Sequence, residues 1–137
     1  MTGGVYNSEF WKEFSVSSRD PLEVELFEEV KKALPKTKAV TTWDSSYKSN
    51  IRRYQKWCAE RIPPRKAVPA EVSTVVLYLQ YVVRSARSYA VVKSASGAIF
   101  TLHQCALVPV ERIPTKDTAA KMVREAAKRT IGLKLIN

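Results

Sequence analysis

Few residues in this chain suit metal binding, tight turns or membrane insertion. Its 137 residues include a single histidine, four glycines and two cysteines. Cys58 and Cys105 stand far apart with no C-x-x-C spacing, and His103 is the lone imidazole, so neither a structural zinc site nor a disulfide framework is indicated. Both thiols are expected to be buried in a reducing compartment, and no cofactor is implied. Glycine is rare and no hairpin dipeptide separates alternating apolar runs, which argues against a sheet. No basic segment leads into an apolar stretch of the secretory kind. The longest apolar run is interrupted by Ser73, Thr74 and Gln80 and falls short of the ~20 residues that cross a bilayer. The expectation is a soluble intracellular protein with no membrane partner and no small-molecule substrate. In a eukaryote it would be nuclear, and in a bacterial or phage setting cytoplasmic, at the nucleoid.

What is abundant is positive charge, and it is unevenly spread. Residues 1–30 carry seven acids against two bases, whereas residues 31–137 carry twenty-one bases against six acids. The length suits one domain with one hydrophobic core, and the body of that domain is strongly basic. Each phosphate neutralised by Lys or Arg releases a condensed counterion, so a polyanion, first of all nucleic acid, is the expected partner. The alternative is a solvated basic surface with no ligand.

Residues 1–19 show no sustained period of 2 or 3.6 and read as an arm. Asp20-Pro21 then supplies an N-cap with proline at the first helical position, and Leu22, Leu26, Val30 and Ala33 or Leu34 recur on one face until Pro35. This predicts a short amphipathic helix with an acidic outer side. Thr41 followed by Asp44 is a variant capping box leading into Tyr47, Ile51, Tyr54, Trp57 and Cys58, which predicts a second helix over 42–60, ended by Pro63 and Pro64.

Pro69 opens a third, through about residue 84, with Val72, Val75, Val76, Leu79 and Val82 or Val83 inward. Its β-branched content suits a strand locally, but the i, i+3, i+4, i+7 recurrence favours helix. Ser88 can cap a fourth helix with Val92, Ala95, Ser96, Ile99, Leu102 and His103 inward, ending before Pro109. A fifth, over 116–130, is expected to bury Ala119, Met122, Val123, Ala126 and Ala127. The fold class is therefore all-α, a single compact bundle of about five helices.

On the second helix Lys48, Arg52 and Lys56 recur at i, i+4 and i+8, with Ser45 and Ser49 beside them. Arg takes phosphate or a guanine edge bidentately, Lys pairs with phosphate, and small hydroxyls allow close approach to a groove. The spacing suits a helix laid in a major groove. An ordinary solvated face has the same pattern and stays open as a reading.

Thr42-Trp43, then Tyr47, Ile51, Tyr54 and Trp57-Cys58, then Pro69-Ala70, Tyr78-Leu79-Gln80 and the stretch from Ser88 to Leu102-His103 and Pro109 fall in an order and spacing that resembles the core-binding, SAM-like domain of the tyrosine recombinase (phage integrase) family, most of all its Cre-like members. The resemblance covers roughly residues 20–131. It implies one half of a clamp on duplex DNA, opposite a separate catalytic domain, for site-specific recombination or DNA integration. It places Ser45, Ser46, Ser49, Arg52 and Arg53 of the second helix near DNA, together with Ser88, Tyr89, Ala90, Val91, Lys93 and Ser94 of the fourth. Lys48 and Lys56 rest on the stripe alone. Ala90 and Val91 depart from the polar residues usual there, which leaves a thymine methyl as a contact for Val91.

The resemblance also implies self-association of protomers on DNA through the first and last helices, here of opposite charge: acidic over 20–34, and basic over 116–130 with Lys121, Arg124, Lys128 and Arg129. Alternatively both cap their own core.

The family's cutting chemistry uses a tyrosine nucleophile with two arginines, a lysine and a His-x-x-Arg element in a further domain. His103 is followed by Gln104, Cys105 and Ala106, so that element is missing, and His103 reads as a packed core residue. No catalytic residue is assigned and this chain is not expected to be an enzyme by itself. Residues 132–137 fall where the family's interdomain linker begins, which suggests a piece of a longer recombinase, of a phage, Xer-like, DIRS-like or crypton-like parent. A domesticated DNA-binding regulator and a helical protein-interaction module are the alternatives.

Overall fold

The computed structural model describes residues 19–33, 36–37, 41–42 and 46–136, with side chains through Gly132. Among these residues the architecture is all-α. Five helices follow one another: α1 (Pro21–Ala33), α2 (Lys48–Ala59), α3 (Val72–Ser85), α4 (Tyr89–Cys105) and α5 (Thr118–Ile136), with two short 3₁₀ turns, Val110–Arg112 and Pro114–Lys116, between the last two. α4 is the central element, packed against α2, α3 and α5, and α3 also packs on α5. Its position explains its sequence: Val92, Ala95, Ala98, Ile99 and Leu102 are all buried, along with Ser96, Thr101 and His103. A helix enclosed on three sides needs apolar or small residues around most of its circumference.

The core joins Ile51, Tyr54, Trp57 and Cys58 of α2 to Val75, Tyr78, Leu79 and Val83 of α3 and to the inner face of α4. Tyr78 stands edge-on to both Tyr54 and Trp57, with ring centroids 5.1 and 5.2 Å apart, an arrangement that ring quadrupoles favour. Tyr54 donates its hydroxyl hydrogen to the Ala67 carbonyl at 2.8 Å. Both cysteines are buried, and burial pushes the Cys58 thiol up from its ordinary value.

His103 is fully buried, as its place in the α4 pattern predicts. Its Nε2 accepts from the Ala70 N–H at 2.9 Å, and its Nδ1 lies 2.8 Å from the Ile99 carbonyl. An accepting Nε2 assigns the proton to Nδ1, which donates to Ile99. The imidazole thus fastens the segment entering α3 onto α4 across 33 positions of sequence.

Several expected registers shift. In α3, Thr74 and Tyr78 are buried whereas Val72, Val76 and Val82 are half-buried. Arg65 donates to Thr74 Oγ1 at 3.0 Å and Ser73 Oγ at 3.1 Å, so the inward hydroxyl has a partner. In α5, Ala120, Ala127 and Ile131 are buried and Val123 is half-buried, while Ala119, Met122 and Ala126 are exposed, Met122 at 63%.

Asp117 Oδ1 accepts from the Ala119 N–H at 2.9 Å, and the helix begins at Thr118 after a 3₁₀ turn rather than at 116. α5 then continues through Ile136, beyond the expected end at 130. Ser88 sits at the N-cap of α4 in extended backbone, but its hydroxyl makes no capping hydrogen bond. The α-helical part of the second helix begins at Lys48, after a π turn at Ser46 and Tyr47. Leu34 and Asp44 lie outside the described residues, as do the arm residues 1–18.

The apolar face of α1 is the largest departure. No residue of α1 is buried, and Leu22, Leu26 and Val30 are 59%, 48% and 46% exposed. Among the described residues no other helix packs extensively on α1.

Gly97 leaves room on α4 for the Tyr47 side chain. A Cβ built there would lie 2.6 Å from the Tyr47 hydroxyl oxygen and 3.0 Å from Cζ, so glycine lets the start of α2 lie against the middle of α4. In an open helical site Gly→Ala gains about 0.5–1 kcal/mol. Gly97→Ala is expected to lose stability, and to regain the ordinary gain in a Tyr47→Ala background. Urea melts of the two single variants and the double variant check this; a stabilising Gly97→Ala in the native background would refute the contact.

Candidate nucleic-acid interface

α2 carries Lys48, Arg52, Arg53 and Lys56 and no carboxylate. Its inward residues Ile51, Tyr54, Trp57 and Cys58 fix the rotation of the helix, and that rotation turns Ser49, Arg52, Arg53 and Lys56 to the exterior while Lys48 is half-buried. Among the described residues two ion pairs form, Glu28–Lys31 and Glu125–Arg129, and neither involves the cations of α2. Arg53 is held by its own helix, donating to Asn50 Oδ1 at 2.7 Å. Ser45, expected on the same stripe, lies outside the described residues.

On α4, Lys93 is exposed and Ser88, Tyr89 and Ser94 are half-buried. Ala90 is exposed, and so is Val91, an apolar side chain left at the surface at 47%. α2 and α4 pack directly on one another.

Arg53 and Lys56 meet Val91 at a cleft of about 370 Å³ formed with α3, whose Tyr78, Tyr81 and Val82 line the opposite side. Tyr89 turns the other way, toward α5, where Lys128 Nζ stands 5.9 Å from its ring centroid. In the comparisons with known proteins, no family model, curated protein or solved structure matches this chain.

The geometry adds residues that sequence reasoning did not place at the site. Arg124 donates to Ser96 Oγ at 3.1 Å and to the Thr115 carbonyl at 3.0 Å, which draws α5 alongside α4. Lys116 covers the Phe100 ring at 5.2 Å. Together with Lys128 these bring α5-side cations next to the outer flank of α4. The correct phase of α5, with Ala120, Ala127 and Ile131 inward, places Arg124 and Lys128 toward α4, and Ile131, one residue past the expected end, was the signal that could have found them, since it continues the Ala120 and Ala127 stripe at i+11.

Arg61 stacks on Trp57 at 4.6 Å while its Nε donates to the Trp57 carbonyl at 2.9 Å. That residue secures the end of α2 rather than extending the basic stripe. Among the described residues no group of three or more His, Cys, Asp or Glu side chains is placed to hold a metal ion, and no helix is long and apolar enough to cross a membrane.

Proposed function

We propose that this chain is the DNA-binding module of a tyrosine recombinase, forming one half of a clamp on duplex DNA while strand cutting belongs to residues outside it. The observation that carries this reading is α2: four cations, no acid, and a rotation fixed by buried aromatics that presents Arg52, Lys56 and Ser49 outward. The excess of bases over residues 31–137 adds long-range attraction to phosphate. In this reading Arg52 and Lys56 contact the backbone, and Ser88, Lys93 and Ser94 approach from α4. The compartment would be the one that holds DNA, the nucleus or the nucleoid.

Self-association belongs to the same proposal. α1 exposes an apolar stripe beside Glu23, Glu25, Glu28 and Glu29, and a neighbouring protomer with a basic surface is its natural cover.

A salt titration of duplex binding, read by fluorescence anisotropy, tests the reading. Half a clamp should bind in the range of about 10⁻⁴–10⁻⁶ M, with affinity falling steeply as salt rises. Arg52→Ala should weaken binding and reduce the slope of log affinity against log salt by roughly one. An unchanged slope would remove α2 from the interface, and no binding even at low salt would favour a protein-interaction module.

A further inference from the structure

The cleft between α2, α3 and α4 has a composition that a phosphate-binding surface does not need. Its inner wall is aromatic: Trp57 and Tyr78 are largely buried, while Tyr81 is 53% exposed. The ring centroid of Tyr81 lies 6.0 Å from that of Trp57 and 6.2 Å from that of Tyr78, both at a 34° tilt. Trp57 is fixed on another side by the Arg61 guanidinium, so the wall is formed before any ligand arrives. Arg53 and Lys56 stand at the same cleft, and the Arg53–Asn50 hydrogen bond holds one of them in place. Glu60 contributes one carboxylate to the lining, leaving two cations against one anion.

A π-surface with cations beside it fits a flat ring carried on an anion, and a volume of about 370 Å³ lies within the usual range of small-ligand sites. A simple apolar side chain would use the aromatic wall but not the charge. Double-stranded DNA would use the charge but could not reach the wall, because its bases are stacked inside the duplex.

We infer that this cleft binds an unpaired nucleobase, stacked on Tyr81 with its flanking phosphates on Arg53 and Lys56, so that the protein holds single-stranded or locally opened DNA beside the duplex-binding face. The inference rests on the DNA-binding reading for its partner class and shares Lys56 with it, while Tyr81, Arg53 and Glu60 belong to the cleft alone. Glu60 supplies an acceptor for a base imide or exocyclic N–H. Tyr81 presents the stacking face, while Trp57 and Tyr78 hold it in position.

The test compares three labelled probes on the whole chain by anisotropy: a deoxythymidine oligomer of about twenty nucleotides, an abasic strand of the same length, and a duplex of similar length. The deoxythymidine strand should bind at least about fivefold tighter than the abasic strand, since one base–aromatic stack contributes about five- to 150-fold in affinity. Tyr81→Ala and Tyr81→Leu should both erase that preference, Tyr81→Phe should keep it, and all three should leave duplex binding within about twofold. Tyr81→Leu retains apolar volume against Trp57, so a loss of preference there with an unchanged melting curve separates stacking from folding.

Equal binding of the deoxythymidine and abasic strands would overturn the inference, as would a preference that survives Tyr81→Leu. If duplex binding then still depends on Arg52, the duplex reading stands without the cleft. A Tyr81-dependent preference with no duplex binding would leave the cleft and remove the duplex reading, and failure of every probe would remove both.

Discussion

Tyr54→Ala is expected to cost about 3–5 kcal/mol of folding stability, the range seen when a large aromatic is removed from a closed core. In a domain whose total stability is on the order of 5–15 kcal/mol, that is enough to populate the unfolded chain measurably. Among the described residues Tyr54 is the largest fully buried side chain. Its ring meets Tyr78 edge-on, and its hydroxyl satisfies the Ala67 carbonyl in the segment before α3. Tyr54→Phe separates these roles: it keeps the ring and leaves the carbonyl without that donor, at about 1–2 kcal/mol. Urea denaturation of both variants gives the comparison. A Tyr54→Phe loss as large as that of Tyr54→Ala would mean that the hydrogen bond, not the packed ring, dominates.

The second large effect concerns His103 and is read against pH. Burial holds its imidazole below the ordinary value, with the hydrogen bond to Ile99 opposing. Protonation would also leave Nε2 unable to accept from Ala70. A group whose folded pKa is depressed binds fewer protons in the native state than in the unfolded chain, so stability rises with pH across the interval between the two values. The contribution is complete above the unfolded value of about 6.5 and is lost as pH falls from there toward the folded value. The slope within that window approaches about 1.4 kcal/mol per pH unit.

The chain has one histidine, so the window can be assigned to it by difference. His103→Ala should lose about 2–4 kcal/mol at pH 8, through the cavity and the unpaired Ala70 N–H, and should flatten the slope below about pH 6.5. A variant that keeps the native slope would place the proton uptake elsewhere.

How the helices were legible in sequence differs from one to the next. α4 could be read almost residue by residue because Val92, Ala95, Ser96, Ile99, Leu102 and His103 form an unbroken inward set, bounded by Ser88 and Pro109. α2 was legible for the same reason, as its aromatics have nowhere polar to go. α5 was misphased because alanines stand at 119, 120, 126 and 127, and alanine is small enough to sit inside or outside at little cost; the buried Ile131, just past the expected end at 130, marks the face that Ala120 and Ala127 share. In α3, valines at 72, 75, 76, 82 and 83 outnumber the positions the core can take, and an arginine from the preceding loop pulls Thr74 inward.

The basic stripe of α2 follows from spacing alone. The cleft does not, because Tyr81 and Val91 lie on different helices with no shared period. Nor does the exposure of α1, since an amphipathic pattern says that a stripe will be covered without saying by which molecule.

That exposure bears on the thermodynamics of assembly. A helix of 13 residues with no buried side chain gains little from packing, and isolated helices of that length are marginal in water. Whatever covers Leu22, Leu26 and Val30 therefore supplies the order of α1 as well as its contact area. Part of the gross attraction is spent on lost chain entropy, which keeps each such contact weak and readily reversed. Stable association would then require several contacts at once, as when copies are held together along one polymer and each raises the local concentration of the next.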